Sequence, residues 1–220
     1  MPSQELAIIF DFGNVLALFD YATIYKRVAS HAQIDPQELA RRVTTSNLSD
    51  WARRFELGAI DEHEFTAGCC QRLNLDLPAS LFQTYWADIF RLNDKVADLV
   101  AELQELRYPL VLGSNTNVIH ARQFRRQFHT ILERFNHLVL SHEIGHLKPA
   151  PEFYHTCVAK SGLEAKNCIF IDDLIENVEG ARRAGLRAIH FRDADALRAS
   201  LVSLGVQVNH EPRQTTLYST

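Results

Sequence analysis

Five short apolar runs constrain this chain most: LAIIF from Leu6 to Phe10, YPLVLG from Tyr108 to Gly113, HLVLS from His137 to Ser141, CIFI from Cys168 to Ile171, and RAIHF from Arg187 to Phe191. Each has the length and branched or aromatic content of a strand. The stretches between them carry helical spacing. Val96, Leu99, Val100, Leu103 and Leu106 recur at the period of a helix face, and GARRAG closes another helix at Gly185. Strands alternating with helices predict an α/β protein built on a doubly wound, Rossmann-like parallel sheet.

The interval from Ala17 to Asp88 differs, showing helix signals and no convincing strand. Asp35-Pro36 reads as an N-cap followed by proline at the first helical position. Ser49-Asp50 and Asp61-Glu62 read as further helix starts, with Gly58 and Pro78 as punctuation. The expected organisation is a core of residues 1–16 and 89–205, a helical cap inserted at 17–88, and a loosely ordered polar tail at 206–220.

Composition narrows the partners. A net charge of −4 and a pI near 6.2 give no global electrostatic reason to bind nucleic acid or an anionic membrane. The four cysteines have no CxxC spacing, which suggests neither a zinc knuckle nor a disulfide framework and fits a reducing compartment. No apolar run approaches the roughly 18 residues of a membrane span, and the N-terminus lacks the pattern of a secretion signal. The expectation is a cytoplasmic protein acting on a small molecule.

In an open parallel sheet, ligands bind beyond the carboxyl ends of the strands. There this sequence places Asp11 after the first strand, Ser114-Asn115-Thr116-Asn117 after the second, Lys148-Pro149 beyond the third, and Asp172-Asp173 after the fourth. Three carboxylates in one crevice repel one another unless a cation sits among them. Magnesium suits oxygen ligands and commonly pairs carboxylates with a substrate phosphate. Ser114, Asn115 and Lys148 are then candidates to bind phosphate, and Asp11 to attack phosphorus.

This ordered set, DFGNV, GSNTN, the lysine of LKP, and IDDLIEN, resembles the haloacid dehalogenase-like hydrolase superfamily over nearly the whole chain. The segment FELGAIDEHEF from Phe55 looks like a helical cap of its sugar-phosphatase branch, and the DxGNV form is similar to the α-D-glucose-1-phosphate phosphatase group. The resemblance implies Asp11 as nucleophile and metal ligand, Ser114 as a phosphate contact, and Lys148 as the neutralising cation. It implies a magnesium site of Asp11, the Gly13 carbonyl, Asp172 and Asp173. Most phosphatases of this superfamily carry a second aspartate where Gly13 stands, acting as acid and then base. Without it, substrates with better leaving groups are favoured. Asp20 is either a replacement folding back from the cap entry or the N-cap of a helix starting near Tyr21.

Other features have plainer readings. HEIGH, from His142 to His146, matches the H-E-x-x-H zinc-protease pattern, but Gly145 and the nearby Pro149 leave little room for the regular helix that pattern needs. Arg122, Arg125 and Arg126 read as a solvated face, Arg53 and Arg54 as surface or substrate-facing, and Trp51, Phe55, Phe65 and Trp86 as cap core. The leading expectation is a magnesium-dependent phosphatase for a small metabolite such as a sugar phosphate. The alternatives are a 2-haloacid dehalogenase and a non-catalytic binding protein.

Overall fold

The computed structural model describes residues 6–208. Five parallel strands form the central sheet: β1 (Ala7–Phe10), β4 (Leu110–Ser114), β5 (His137–Leu140), β6 (Cys168–Asp172) and β7 (Arg187–His190), in the order β5-β4-β1-β6-β7. All five expected runs are strands. β1 lies at the centre, with Ile8 opposite Leu110 on one side and Ile169 on the other. Its residues are buried without alternation, because helices cover both faces of the sheet.

The two faces make two cores. Ile8 and Phe10 point to one side, among side chains of α6 (Asp94–Glu105), α7 (Val118–Gln127) and α12 (Ala194–Ser203). Ala7 and Ile9 point to the other, against Phe153, Tyr154 and Cys157 of α10 (Pro151–Ser161) and Ala181 of α11 (Ile175–Arg183). Two single-turn helices, α8 (His129–Leu132) and α9 (Ser141–Ile144), complete the core. Val206, at the start of the expected tail, is buried in the first of these cores. Residues 209–220 of that tail lie outside the described residues.

Between β1 and α6 the chain leaves the sheet and returns. It runs through five helices: α1 (Tyr21–Ala32), α2 (Pro36–Thr45), α3 (Leu48–Glu56), α4 (Glu62–Leu73) and α5 (Ala79–Ala87). These enclose their own apolar cluster, in which Phe55 stacks on Phe65 with ring centroids 4.1 Å apart. Asp35 caps α2 by accepting from Gln37 N and Glu38 N, and Asp61 caps α4 by accepting from Glu64 N. Two expectations fail here. α3 starts at Leu48 after a left-handed Asn47, ahead of Ser49-Asp50. The interval also contains a strand, β2 (Ala17–Phe19), paired antiparallel with β3 (Phe90–Leu92). Three residues carry too little pattern to reveal a strand, and the partner is supplied only after all five helices have folded back.

No helix among the described residues is long and apolar enough to cross a membrane. All four cysteines are free.

Candidate active site

The carboxyl ends of β1, β4 and β6 meet at one buried ammonium. Lys148 Nζ donates to Asp11 Oδ1 at 2.6 Å, to Asp172 Oδ2 at 2.8 Å and to the Gly113 carbonyl at 3.1 Å. Those bonds use all three of its protons, so its position is determined from three strands at once. Burial alone would push the Lys148 pKa down; the two carboxylates outweigh it and the group is held charged.

Asp11 directly follows β1, and its N–H extends the ladder to the Ile171 carbonyl at 2.9 Å. Burial raises its pKa to about 7, opposed by Lys148 and assisted by Asp172. Asp172 is fully buried, and its other oxygen accepts from Leu174 N and Asn177 Nδ2, both at 2.9 Å. Asp173 is half-buried and accepts from Asn14 Nδ2 at 3.1 Å; burial raises its pKa, which that bond opposes. Oxygens of Asp11, Asp172 and Asp173 all lie within 4.8 Å of one another. With all three ionised, three negative charges face the single positive charge of Lys148. The remaining two suit a divalent cation with hard oxygen ligands.

Ser114 ends β4 and is buried beside this cluster, its hydroxyl making only a long 3.4 Å contact with the Asn115 carbonyl. The Asn115 side chain holds the lysine's backbone: its Oδ1 accepts from Lys148 N at 2.8 Å and its Nδ2 donates to the Lys148 carbonyl at 3.1 Å.

The haloacid dehalogenase-like hydrolase family matches residues 6–185. The chain belongs to that family. A phosphatase of Mycobacterium tuberculosis is 27% identical over 197 residues, covering 83% of this chain and 85% of its own. A 65-residue stretch is 43% identical to flavin mononucleotide hydrolase 1 of Arabidopsis thaliana, spanning only 26% of that protein. In fold, the chain is similar to a HAD family enzyme of Bacteroides thetaiotaomicron solved with magnesium and inorganic phosphate. The TM-score is 0.74 at 23% identity, over 85% of this chain and 94% of the other.

Where the family commonly carries a second aspartate, this member has Gly13, and the space is occupied. A Cβ at Gly13 would lie 2.9 Å from Phe19 Cε1. Asp20 is not a replacement: its carboxylate accepts from Ala22 N at 2.8 Å and Thr23 Oγ1 at 3.2 Å, capping α1 in an exposed position. The half-buried Glu56, the last residue of α3, lies near enough to Lys148 to feel its charge. Its carbonyl accepts from Ser141 Oγ at 2.7 Å, tying α3 to the corner after β5. Burial raises the Glu56 pKa, opposed by Arg53 and by the charge of Lys148.

HEIGH is a single turn ended by left-handed Gly145, so its histidines do not share a helix face. Arg53 and Arg54 are exposed, with Arg54 over the Trp51 ring. Arg122 and Arg125 pair with Glu62 and Glu143 on the surface. Sequence reasoning left Asn14, Asn177, Ser141 and Glu56 without a role. Of these, Asn14 carries a usable signal, since asparagine tolerates its positive φ of 54° better than most residues.

Proposed function

We propose that this hydrolase is a magnesium-dependent phosphatase that cleaves a small phosphate monoester through an aspartyl-phosphate. The observation that carries this is the buried Lys148 ammonium bridging Asp11 and Asp172, with Asp173 in the same cluster. The phosphatase name of the mycobacterial relative and the magnesium and phosphate held by the Bacteroides enzyme support it.

Asp11 is the nucleophile. It attacks phosphorus as the bond to the departing alcohol breaks, and water then attacks the same phosphorus to release phosphate and restore the carboxylate. Lys148 opposes the effect of burial on Asp11, favouring its carboxylate form, and neutralises charge on the phosphate oxygens, while Ser114 donates its hydroxyl to them. Asn115 is a positioning residue that acts through Lys148. Asp11, Asp172, Asp173 and the Gly13 carbonyl would hold magnesium, which supplies charge neutralisation for phosphate and carboxylates together. With no acid at position 13, Glu56, whose pKa is raised by burial, gives the alcohol its proton and takes one back from the attacking water.

Residues 17–88 act as the cap over a core of 1–16 and 89–205, excluding water when closed. The substrate would be met in the cytoplasm. The DFGNV motif and the FELGAIDEHEF segment, with their likeness to the glucose-1-phosphate phosphatases, make a sugar phosphate one candidate for that monoester, against which the apolar cavity inside the helical segment argues.

The test is phosphate release from p-nitrophenyl phosphate with magnesium or with EDTA, by wild type and Asp11→Asn. Turnover that needs magnesium and disappears in a folded Asp11→Asn protein is expected. Turnover retained by that variant refutes the mechanism. Halide release from a 2-haloacid in EDTA would transfer the assignment to a dehalogenase.

A further inference from the structure

An apolar cavity of about 300 Å³ lies inside the helical segment, walled by side chains such as Val28, Leu39, Val43, Ala52, Phe82 and Trp86. Protein interiors are close-packed, and voids much larger than a water molecule are few. A space of this size lined by hydrocarbon has the character of a binding cavity.

A line of aromatic rings runs from Gly13 to this cavity. Phe19 lies against Gly13. Tyr21 packs on Phe19 with centroids 5.1 Å apart, and Tyr21 itself lines the cavity, 6.2 Å from the Trp86 ring. Glu56 lines the same cavity and is the one carboxylate there among the described residues.

A second observation points the same way. Among the described residues the large exposed hydrophobic side chains are Tyr21, Tyr25, Leu174 and Ile175. Tyr21 and Tyr25 are one helical turn apart on α1 and both line the cavity. Leu174 and Ile175 directly follow Asp173. Apolar surface left in water thus collects at the cavity and immediately beyond the acidic cluster, where a hydrocarbon would reach the phosphate site. A sugar would bring hydroxyls into a wall with few polar partners, at a cost in unmade hydrogen bonds.

We infer that the cavity takes the organic group of the substrate and that this group is apolar: the substrates are phosphate monoesters of hydrophobic alcohols. The inference rests on the phosphatase reading for the position of the phosphate, and the experiment separates the two. Ethyl-, butyl-, hexyl- and octylphosphonate, which resist hydrolysis, are titrated calorimetrically into the full chain with magnesium, alongside glucose 6-phosphate. Affinity is expected to rise about tenfold for every two methylenes until the cavity is full. Glucose 6-phosphate is expected to bind no tighter than ethylphosphonate. Ala52→Phe, with Val43→Phe as a second filling variant, should flatten the series.

A flat series in wild type, or tightest binding of glucose 6-phosphate, overturns the inference. So does a rising series that persists unchanged in a filled variant, because the chain would then bind elsewhere. Hydrolysis of p-nitrophenyl phosphate on the same preparation reports on the phosphatase reading alone. A rising series without hydrolysis removes that reading and keeps the apolar site; hydrolysis with a flat series does the reverse.

Discussion

Restoring an aspartate at position 13 should first harm this protein, and the amount follows from one contact. The added Cβ would meet Phe19 Cε1 at 2.9 Å, where ordinary contact begins at 3.4 Å, so the ring must yield by the difference. Phe19 cannot yield freely, being packed on Tyr21 and against the apolar cluster of the helices α1 to α5. Overpacking of this kind costs about 1–3 kcal/mol. For a chain of this size each kcal/mol lowers the melting temperature by about 2–4 °C, so Gly13→Asp should melt roughly 2–12 °C below wild type. Phe19→Ala removes the obstruction. In a double-mutant cycle the pair should then be less destabilised than the sum of the singles by about 1–3 kcal/mol, measured by thermal and urea unfolding. Only the double variant should gain turnover of an alkyl phosphate relative to p-nitrophenyl phosphate, since nitrophenolate leaves without a proton. A Gly13→Asp protein as stable as wild type, or a strictly additive cycle, would refute the packing argument.

Three further outcomes are expected. Glu56→Gln should slow an alkyl phosphate by about a hundredfold or more while leaving p-nitrophenyl phosphate nearly unaffected; equal loss on both would deny Glu56 the role of acid. His120 is buried, its Nε2–H donating to the Trp86 carbonyl at 2.9 Å and its Nδ1 facing Asn117 Nδ2 at 3.1 Å, and burial lowers its pKa to about 4. Because the unfolded chain takes up this proton near pH 6.5 and the folded one does not, stability should fall between pH 6.5 and 4 by on the order of 3 kcal/mol. His120→Gln should flatten that slope in urea titrations, and an unchanged slope would place the titration elsewhere. Gly68→Ala should destabilise, although alanine gains about 1 kcal/mol in a helix interior. The new Cβ would lie 2.5 Å from Trp51 Nε1, displacing the ring from its bond to the Phe65 carbonyl; a higher melting temperature would contradict this.

What the sequence determined by itself was local or periodic. The five sheet strands were legible because each is a short apolar run flanked by polar residues, and burial on both faces leaves little else for such a run to be. The caps at Asp35 and Asp61 were legible because a carboxylate before a helix bonds N–H groups two or three residues ahead. Asp20 followed the same local rule. The positions of Asp11, Ser114, Lys148, Asp172 and Asp173 were foreseeable from topology, since residues after parallel strands converge at one edge.

Only the tertiary structure decided which of these residues touch and which are spoken for. The Asn115 amide holds the Lys148 backbone, a contact across 33 positions that no local pattern announces. β2 and β3 exist because the chain on either side of the five helices is brought back antiparallel. Phe19 closes on Gly13, and Glu56 meets the corner after β5, only once the five helices are packed on the core. The physical reason is the same in each case. Backbone and capping preferences act over a few residues and leave a readable pattern, whereas burial, charge pairing and cavity shape depend on side chains that the sequence separates and packing unites.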